Sequence, residues 1–408
     1  MLLPLRYLIF EKVVNLKRRL ISLFIATAAI LTACCGVFYA QSSNPKPANT
    51  EIYVNDNFVF SKKAAIEHLE LCDIAGYPVS LNARLENSGY ENIEYYDYEN
   101  SLKSDNKVGL VLCKKENALL AIMRGTKDEE WYSNFNIGNG FEHAGFSIAA
   151  DKVLLNILSY MQNHSMSKST TEVYLTGHSR GAAVANITAS RLIDENTFKS
   201  VSAYTFACPN TTTSVNANQS RYKSIINIIN PQDFICYIPL ESWEYTRYGK
   251  TVELPKSSTV SDFDTLYSNM KEAYVSDTSN DLKDFPNKSK DVEDIIGYLS
   301  TLAPSVEDYY EKEIFVAGLR LTTYDYMMKL AAVMNNENPL LHGLFMLSCK
   351  AIPEVSAITE FVFSGVSESK LMDADSMMNT AVVVNHLPAA YSAWINSLEE
   401  DYFLSRLK

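Results

Sequence analysis

EVYLTGHSRGAAVANITASRL, residues 172–192, is the stretch whose reading decides the fold. A short apolar run ends at Thr176, Gly177-His178-Ser179-Arg180-Gly181 follows, and an alanine-rich segment comes next. The pattern predicts a buried strand (173–176) handing over to a helix (181–195) through one tight turn with Ser179 at its tip. A serine hydroxyl is a weak nucleophile at neutral pH and needs a base and an exposed position. A strand–turn–helix elbow supplies the exposure, and glycines two before and two after the serine remove the Cβ atoms that would collide where strand meets helix. The helix N-terminus also turns backbone donors and a positive dipole end towards the serine. A serine in an ordinary glycine turn is the plainer reading, but the strand before Gly177 and the small residues Ala182, Ala183 and Ala185 after Gly181 favour the elbow.

Outward from this stretch, residues 61–76 have helical spacing, and VGLVLCKKENALLAIMRGT reads as a hairpin turning at 114–117. Residues 143–163 place Phe146, Ala149, Val153, Ile157 and Met161 at helical intervals. The runs 201–207 and 225–230 read as further strands. Short apolar strands alternating with helices predict an α/β fold, with a mostly parallel central sheet covered by helices on both faces. Beyond about residue 240 strand signals fade. Residues 306–334 put Val306, Tyr309, Ile314, Ala317, Leu321, Tyr324 and Met328 near one helical face. The expected organisation is therefore a core at 51–254, a mainly helical insertion at 255–375 that could cap it, and a return to the core at 376–408.

The chain has 408 residues, 47% of them hydrophobic, which is ample for a large core. Its net charge of −12 does not suit a nucleic-acid binder, which needs a basic face. Lys17, Arg18 and Arg19 precede the apolar run LISLFIATAAILTACCG, which is the length of an export-signal core and short for a membrane span. Leu31-Thr32-Ala33-Cys34 resembles the lipobox of bacterial lipoproteins, in which the cysteine is acylated after cleavage. Residues 1–34 are thus expected to be an export signal with lipid attachment at Cys34, or an uncleaved signal anchor, and 35–50 a polar tether. Either places the protein on the membrane, exported to its outer side; secretion is the further alternative. The seven cysteines form no CxxC pair and no metal-like spacing with histidine, so zinc is not expected.

Partners for Ser179 follow from chain order. In hydrolases built on this elbow the acid follows the serine and the histidine comes last. Asp233 lies just past the strand at 225–230, at the sheet edge where the elbow opens; Asp262 and Asp264 follow no strand. Of six histidines only His342 and His386 come late enough. His342 lies on an apolar stretch inside the insertion, whereas His386 sits in a loop before Pro388, which favours His386 as base. His178 adjoins the nucleophile and is placed for packing. An oxyanion needs two donors: the Arg180 amide, directly after the serine, and the Thr126 amide in Arg124-Gly125-Thr126, after the strand at 118–123.

These residues resemble the class 3 lipases of the α/β-hydrolase superfamily. The resemblance runs in order through AIMRGTKDEEWYSNFNIG, HAGF, VYLTGHSRGAAVANITA, YTFACPN, NPQDFICYIP and NHLPAAY. It implies a serine ester hydrolase acting on acyl lipids without metal or cofactor. Ser179 would be the nucleophile, His386 the base and Asp233 its orienter, with Thr126 and Arg180 forming the oxyanion hole. It implies a structural role for His143. The interval from Asp233 to His386 is longer than in compact members, and residues 131–135 are a weak candidate for their short lid. Phe315, Phe345, Phe361 and Phe363 are candidates to line an acyl pocket, or simply to pack on the sheet. The same triad would equally serve a phospholipase or thioesterase, and a non-catalytic binding module is the remaining alternative.

Overall fold

The computed structural model describes residues 60–98, 107–127, 130–279, 289–316, 319–334 and 384–407. The expected signal, Cys34 and the tether lie outside these residues, as do His342, Phe345, Phe361 and Phe363.

Seven strands form one sheet in strictly sequential order: β1 (Glu91–Tyr96), β2 (Leu110–Lys115), β3 (Ala118–Met123), β4 (Glu172–His178), β5 (Ser200–Phe206), β6 (Ile225–Ile229) and β7 (Lys250–Glu253). The first three pair antiparallel and all later neighbours pair parallel. The hairpin β2–β3 runs from Leu110 opposite Met123 to Lys115 opposite Ala118, and Glu116 takes φ 53° in its two-residue turn. Strands β3, β4 and β6 are buried along their whole length, which is why they read as unbroken apolar runs rather than as an alternation.

A sheet that grows in one direction through right-handed crossovers puts its crossover helices on one face. Accordingly α4 (Ala144–Asn163), between β3 and β4, and α5 (Arg180–Glu195), between β4 and β5, share one core with Leu119, Val173, Leu175 and Ala203. The short α3 (Glu130–Asn134) precedes α4. Elements outside the crossovers must cover the other face. These are α1 (Lys62–Ile74) from the start of the domain, followed by α2 (Pro78–Asn87), together with α6 (Phe263–Thr278), α10 (Pro388–Ser397) and α11 (Glu400–Leu407). Leu69, Ile228, Phe263, Met270, Trp394 and Phe403 form one core among α1, α6, α10 and α11, while Leu81 and Leu85 of α2 join a second with Leu71, Val111 and Leu120. Lys62 Nζ donates to the carbonyls of Asn396 and Leu398, so a cation closes the C-terminal end of α10.

Three expectations are corrected. Strands continue past residue 240: Lys250–Glu253 pairs with β6, although only Val252 of its four residues is buried. The single helix over 306–334 is instead α8 (Val306–Glu311), a hairpin of β8 (Glu313–Val316) and β9 (Leu319–Thr322), and α9 (Thr323–Met334). The step of five residues from Tyr309 to Ile314 already broke the helical period, and EIFV and LRLT carry the branched residues of a strand pair. Finally, the boundary expected at 255 falls inside the sheet unit. Helices α6, α7 (Ser289–Leu302) and α8 belong to the compact unit that runs to Lys312 and resumes at Ala381. The described part of the other unit is 313–334 without 317–318: the small hairpin followed by α9.

Candidate active site

The turn after β4 is strained in the way an elbow requires. Ser179 takes φ 58° and ψ −127°, left-handed backbone that costs a non-glycine residue roughly 1–3 kcal/mol. Its N–H donates to Phe206 O at 3.0 Å, and Ala183 N–H donates back to Ser179 O at 3.1 Å, so strand β5 and helix α5 grip the turn from both ends. A Cβ on Gly177 would lie 2.3 Å from the Gly181 carbonyl carbon, and one on Gly181 would lie 2.2 Å from Met123 O. Both glycines are present because backbone passes where a side chain would be.

The structure brings the three residues singled out in sequence into one relay. His386 Nδ1–H donates to Asp233 Oδ2 at 2.8 Å, which leaves Nε2 to accept from the Ser179 hydroxyl at 2.9 Å. Asp233 is fully buried, and its carboxylate collects four donors: besides His386, Ile235 N–H on Oδ1, and the Tyr391 hydroxyl (2.8 Å) and Cys236 thiol (3.4 Å) on Oδ2. Burial pushes the Tyr391 and Cys236 pKa values well above their ordinary range, so both remain protonated donors. The backbone of His386 is held as well, by His178 Nε2–H donating to its carbonyl at 2.6 Å. Burial first, then the neighbouring His386, lowers the His178 pKa to about 3, which fixes that ring as a neutral donor.

Tyr391 and Cys236 were not anticipated. Tyr391 stands in the first turn of α10, five residues after His386, and its hydroxyl also accepts Asn230 N–H at 3.1 Å. Nothing local in AVVVNHLPAAY distinguishes it from a core tyrosine. Tyr391→Phe removes one donor from Asp233 and orphans a buried amide. We expect kcat to fall roughly 3–10-fold and stability to drop by about 1–3 kcal/mol, measured by steady-state kinetics and urea unfolding. Unchanged kinetics would place the hydroxyl outside the relay.

The loop after β3, expected to supply an oxyanion donor, passes directly beside the elbow: a Cβ on Gly125 would touch His178 O at 3.5 Å and Ser179 Cβ at 3.9 Å. Thr126 follows it, and Arg180 opens helix α5. The fully buried Glu130 closes the loop, accepting from Arg124 Nη2 at 2.9 Å and Lys127 N–H at 2.7 Å. Residues 131–135, the weak lid candidate, fall largely within α3, which is packed from below. Ser133 is fully buried, a Cβ on Gly145 would lie 1.9 Å from Ser133 O, and His143 Nε2–H donates to Asn134 O at 3.1 Å. Sequence gave Arg180 only a backbone role. Its guanidinium is buried too, donating to Lys107 O and, at 2.9 Å, to Asn134 Oδ1.

Burial also lowers His143 to about 3 and His68 to about 4. With His178, three histidines are neutral in the folded chain, whereas an unfolded histidine titrates near 6.5. Between those values the unfolded chain binds more protons, so stability rises with pH and is lost as pH falls below about 6.5. At pH 5 the loss is about 2 kcal/mol per histidine. Urea midpoints at pH 7 and pH 5 measure it, and a midpoint that does not fall at pH 5 contradicts it.

A sequential, mostly parallel sheet with a serine elbow after a central strand, an acid after a later strand and a histidine near the C-terminus defines an α/β-hydrolase. Residues 114–243 match the family described as Lipase (class 3). The matched stretch holds both the Ser179 elbow and Asp233. Among solved structures it is similar to a triacylglyceride lipase from Rhizomucor miehei, at 15% identity over 48% of this chain and 81% of that one, TM-score 0.37. It is likewise similar to a mutant form of MDLA from Penicillium cyclopium, at 19% identity over 50% and 84%, TM-score 0.39. No match was found among curated proteins.

Proposed function

We propose that the protein cleaves carboxylic ester bonds of acyl lipids through an acyl-Ser179 intermediate. The observation that carries this is the relay Ser179, His386, Asp233 at 2.9 and 2.8 Å. His386 Nε2 takes the hydroxyl proton as Ser179 Oγ attacks the ester carbonyl. The amides of Thr126 and Arg180 hold the oxyanion of the tetrahedral intermediate. His386 then passes the proton to the departing alcohol, and the acyl-enzyme forms. Water, deprotonated by the same ring, attacks the acyl carbonyl, and collapse of that intermediate frees the acid and returns the proton to Ser179. Asp233 holds the ring in the tautomer that both steps need.

Acyl lipid is the substrate class we favour because the sequence at 1–34 reads as an export signal ending in an acylated Cys34, which would hold the domain at a lipid surface. No described helix is long and apolar enough to cross a membrane. The test has three parts. A fluorophosphonate probe should label the wild type and not Ser179→Ala; absence of label on folded wild type would favour a binding module. Emulsified triglyceride should be hydrolysed faster than phospholipid or acyl thioester; the reverse order would move the substrate. A palmitate analogue fed to cells should label the chain and be lost in Cys34→Ala.

A further inference from the structure

The residue after the nucleophile contributes its amide to an oxyanion hole whatever its side chain, so a buried arginine at 180 calls for a separate reason. Burying a guanidinium is costly unless its donors are met by acceptors. Arg180 meets this with Lys107 O, reached by Nε at 3.3 Å and Nη2 at 3.1 Å, and with Asn134 Oδ1, reached by Nη1 at 2.9 Å. The same Asn134 amide uses its other end: Nδ2 donates to Thr126 Oγ1 at 3.0 Å. One carboxamide therefore joins the two residues to which the proposed mechanism assigns the oxyanion amides, one on the helix and one on the loop after β3. An amide suits this role because it accepts from the cation and donates to the hydroxyl at once. Asn134 itself is anchored by His143 on its carbonyl. The next turn is held from the far side, where Tyr309 donates to Phe135 O and Gly138 N–H donates to Tyr310.

We propose that the Arg180 side chain and Asn134 are positioning residues that hold the Thr126 and Arg180 amides at a fixed separation, so that both donors meet the oxyanion together. The inference rests on the hydrolase reading above. An oxyanion donor displaced by a fraction of an ångström loses transition-state stabilisation without altering ground-state binding, so the effect falls on kcat and not on KM.

The experiment is steady-state hydrolysis of p-nitrophenyl butyrate by Thr126→Val, Asn134→Ala, Arg180→Met, Arg180→Lys and the Asn134→Ala/Arg180→Met double variant, with thermal unfolding measured alongside. We expect each non-conservative single change to lower kcat about 10–30-fold with KM within about twofold. Arg180→Lys should recover part of the loss. The double variant should lie within about threefold of the worse single, because breaking one link already frees both donors. Losses that multiply in the double variant, or kcat within twofold of wild type in Thr126→Val and Asn134→Ala, would overturn the proposal. Those two variants decide the matter should Arg180→Met not fold. A wild type that carries no Ser179-dependent fluorophosphonate label overturns the hydrolase reading, and the coupling with it; a labelled wild type with unaffected variants overturns the coupling alone.

Discussion

Ser179→Ala should lower kcat for ester hydrolysis on the order of 10⁵–10⁶-fold while leaving the unfolding transition nearly unmoved. The size follows from what is removed. The hydroxyl is the nucleophile aligned on His386 Nε2, at 2.9 Å, and what remains is binding plus any oxyanion stabilisation. Stability is spared because the strain at residue 179 is in the backbone, at φ 58°, and alanine adopts it at the same cost as serine. His386 keeps its bonds to Asp233 and His178, so the loop does not collapse. A variant retaining more than about 1% of wild-type turnover would show that the acyl group is carried elsewhere. Asp233→Asn makes a useful companion, because an amide that donates to Nδ1 turns the ring's proton to the wrong nitrogen and should cost roughly 10⁴-fold.

The second large effect concerns folding. In Gly181→Ala the new methyl would lie 2.2 Å from Met123 O and 2.7 Å from Arg124 O. Neither oxygen has room to give way, since Met123 is paired on both sides, with Leu110 and with Gly177. Strand and helix must separate at the point where the nucleophile is held. We expect a loss of about 3–5 kcal/mol and no measurable turnover. Gly297→Ala, in α7 with nothing within 4 Å of the added carbon, is the control, and should be neutral or stabilising by up to about 1 kcal/mol. Equal urea midpoints for the two variants would refute the steric account of the elbow.

The parts of this molecule visible in the sequence are those governed by local rules. Strands β3, β4 and β6 are buried on both faces, so their apolar runs announced them. Ser179 was found because its turn needs glycines on both sides, Asp233 because it follows a strand, and His386 because chain order left few alternatives. The edge strands ENIEYY and KTVE were missed for the opposite reason: each exposes much of its length and so carries little apolar signal. The hairpin at 313–322 was read through as helix because apolar residues on either side happened to continue a near-helical spacing. The supports of the site were out of reach altogether. Tyr391 meets Asp233 across 158 positions, His178 meets the His386 carbonyl across 208, and the Arg180 guanidinium reaches Asn134 across 46. Such meetings are fixed by where the sheet and its covering helices bring distant loops, which no short window encodes.

Chains are made from the amino end, and here that order has a consequence. Sheet, elbow and acid are complete once β7 has been synthesised, yet the imidazole arrives only after the long stretch that follows β7, carried on a segment that packs against α1. On the chemistry proposed here, a nascent or truncated polypeptide would assemble nearly the whole scaffold and remain inert, its serine lacking a proton acceptor. Competence would switch on when α10 and α11 close over the face that the earlier crossovers leave bare.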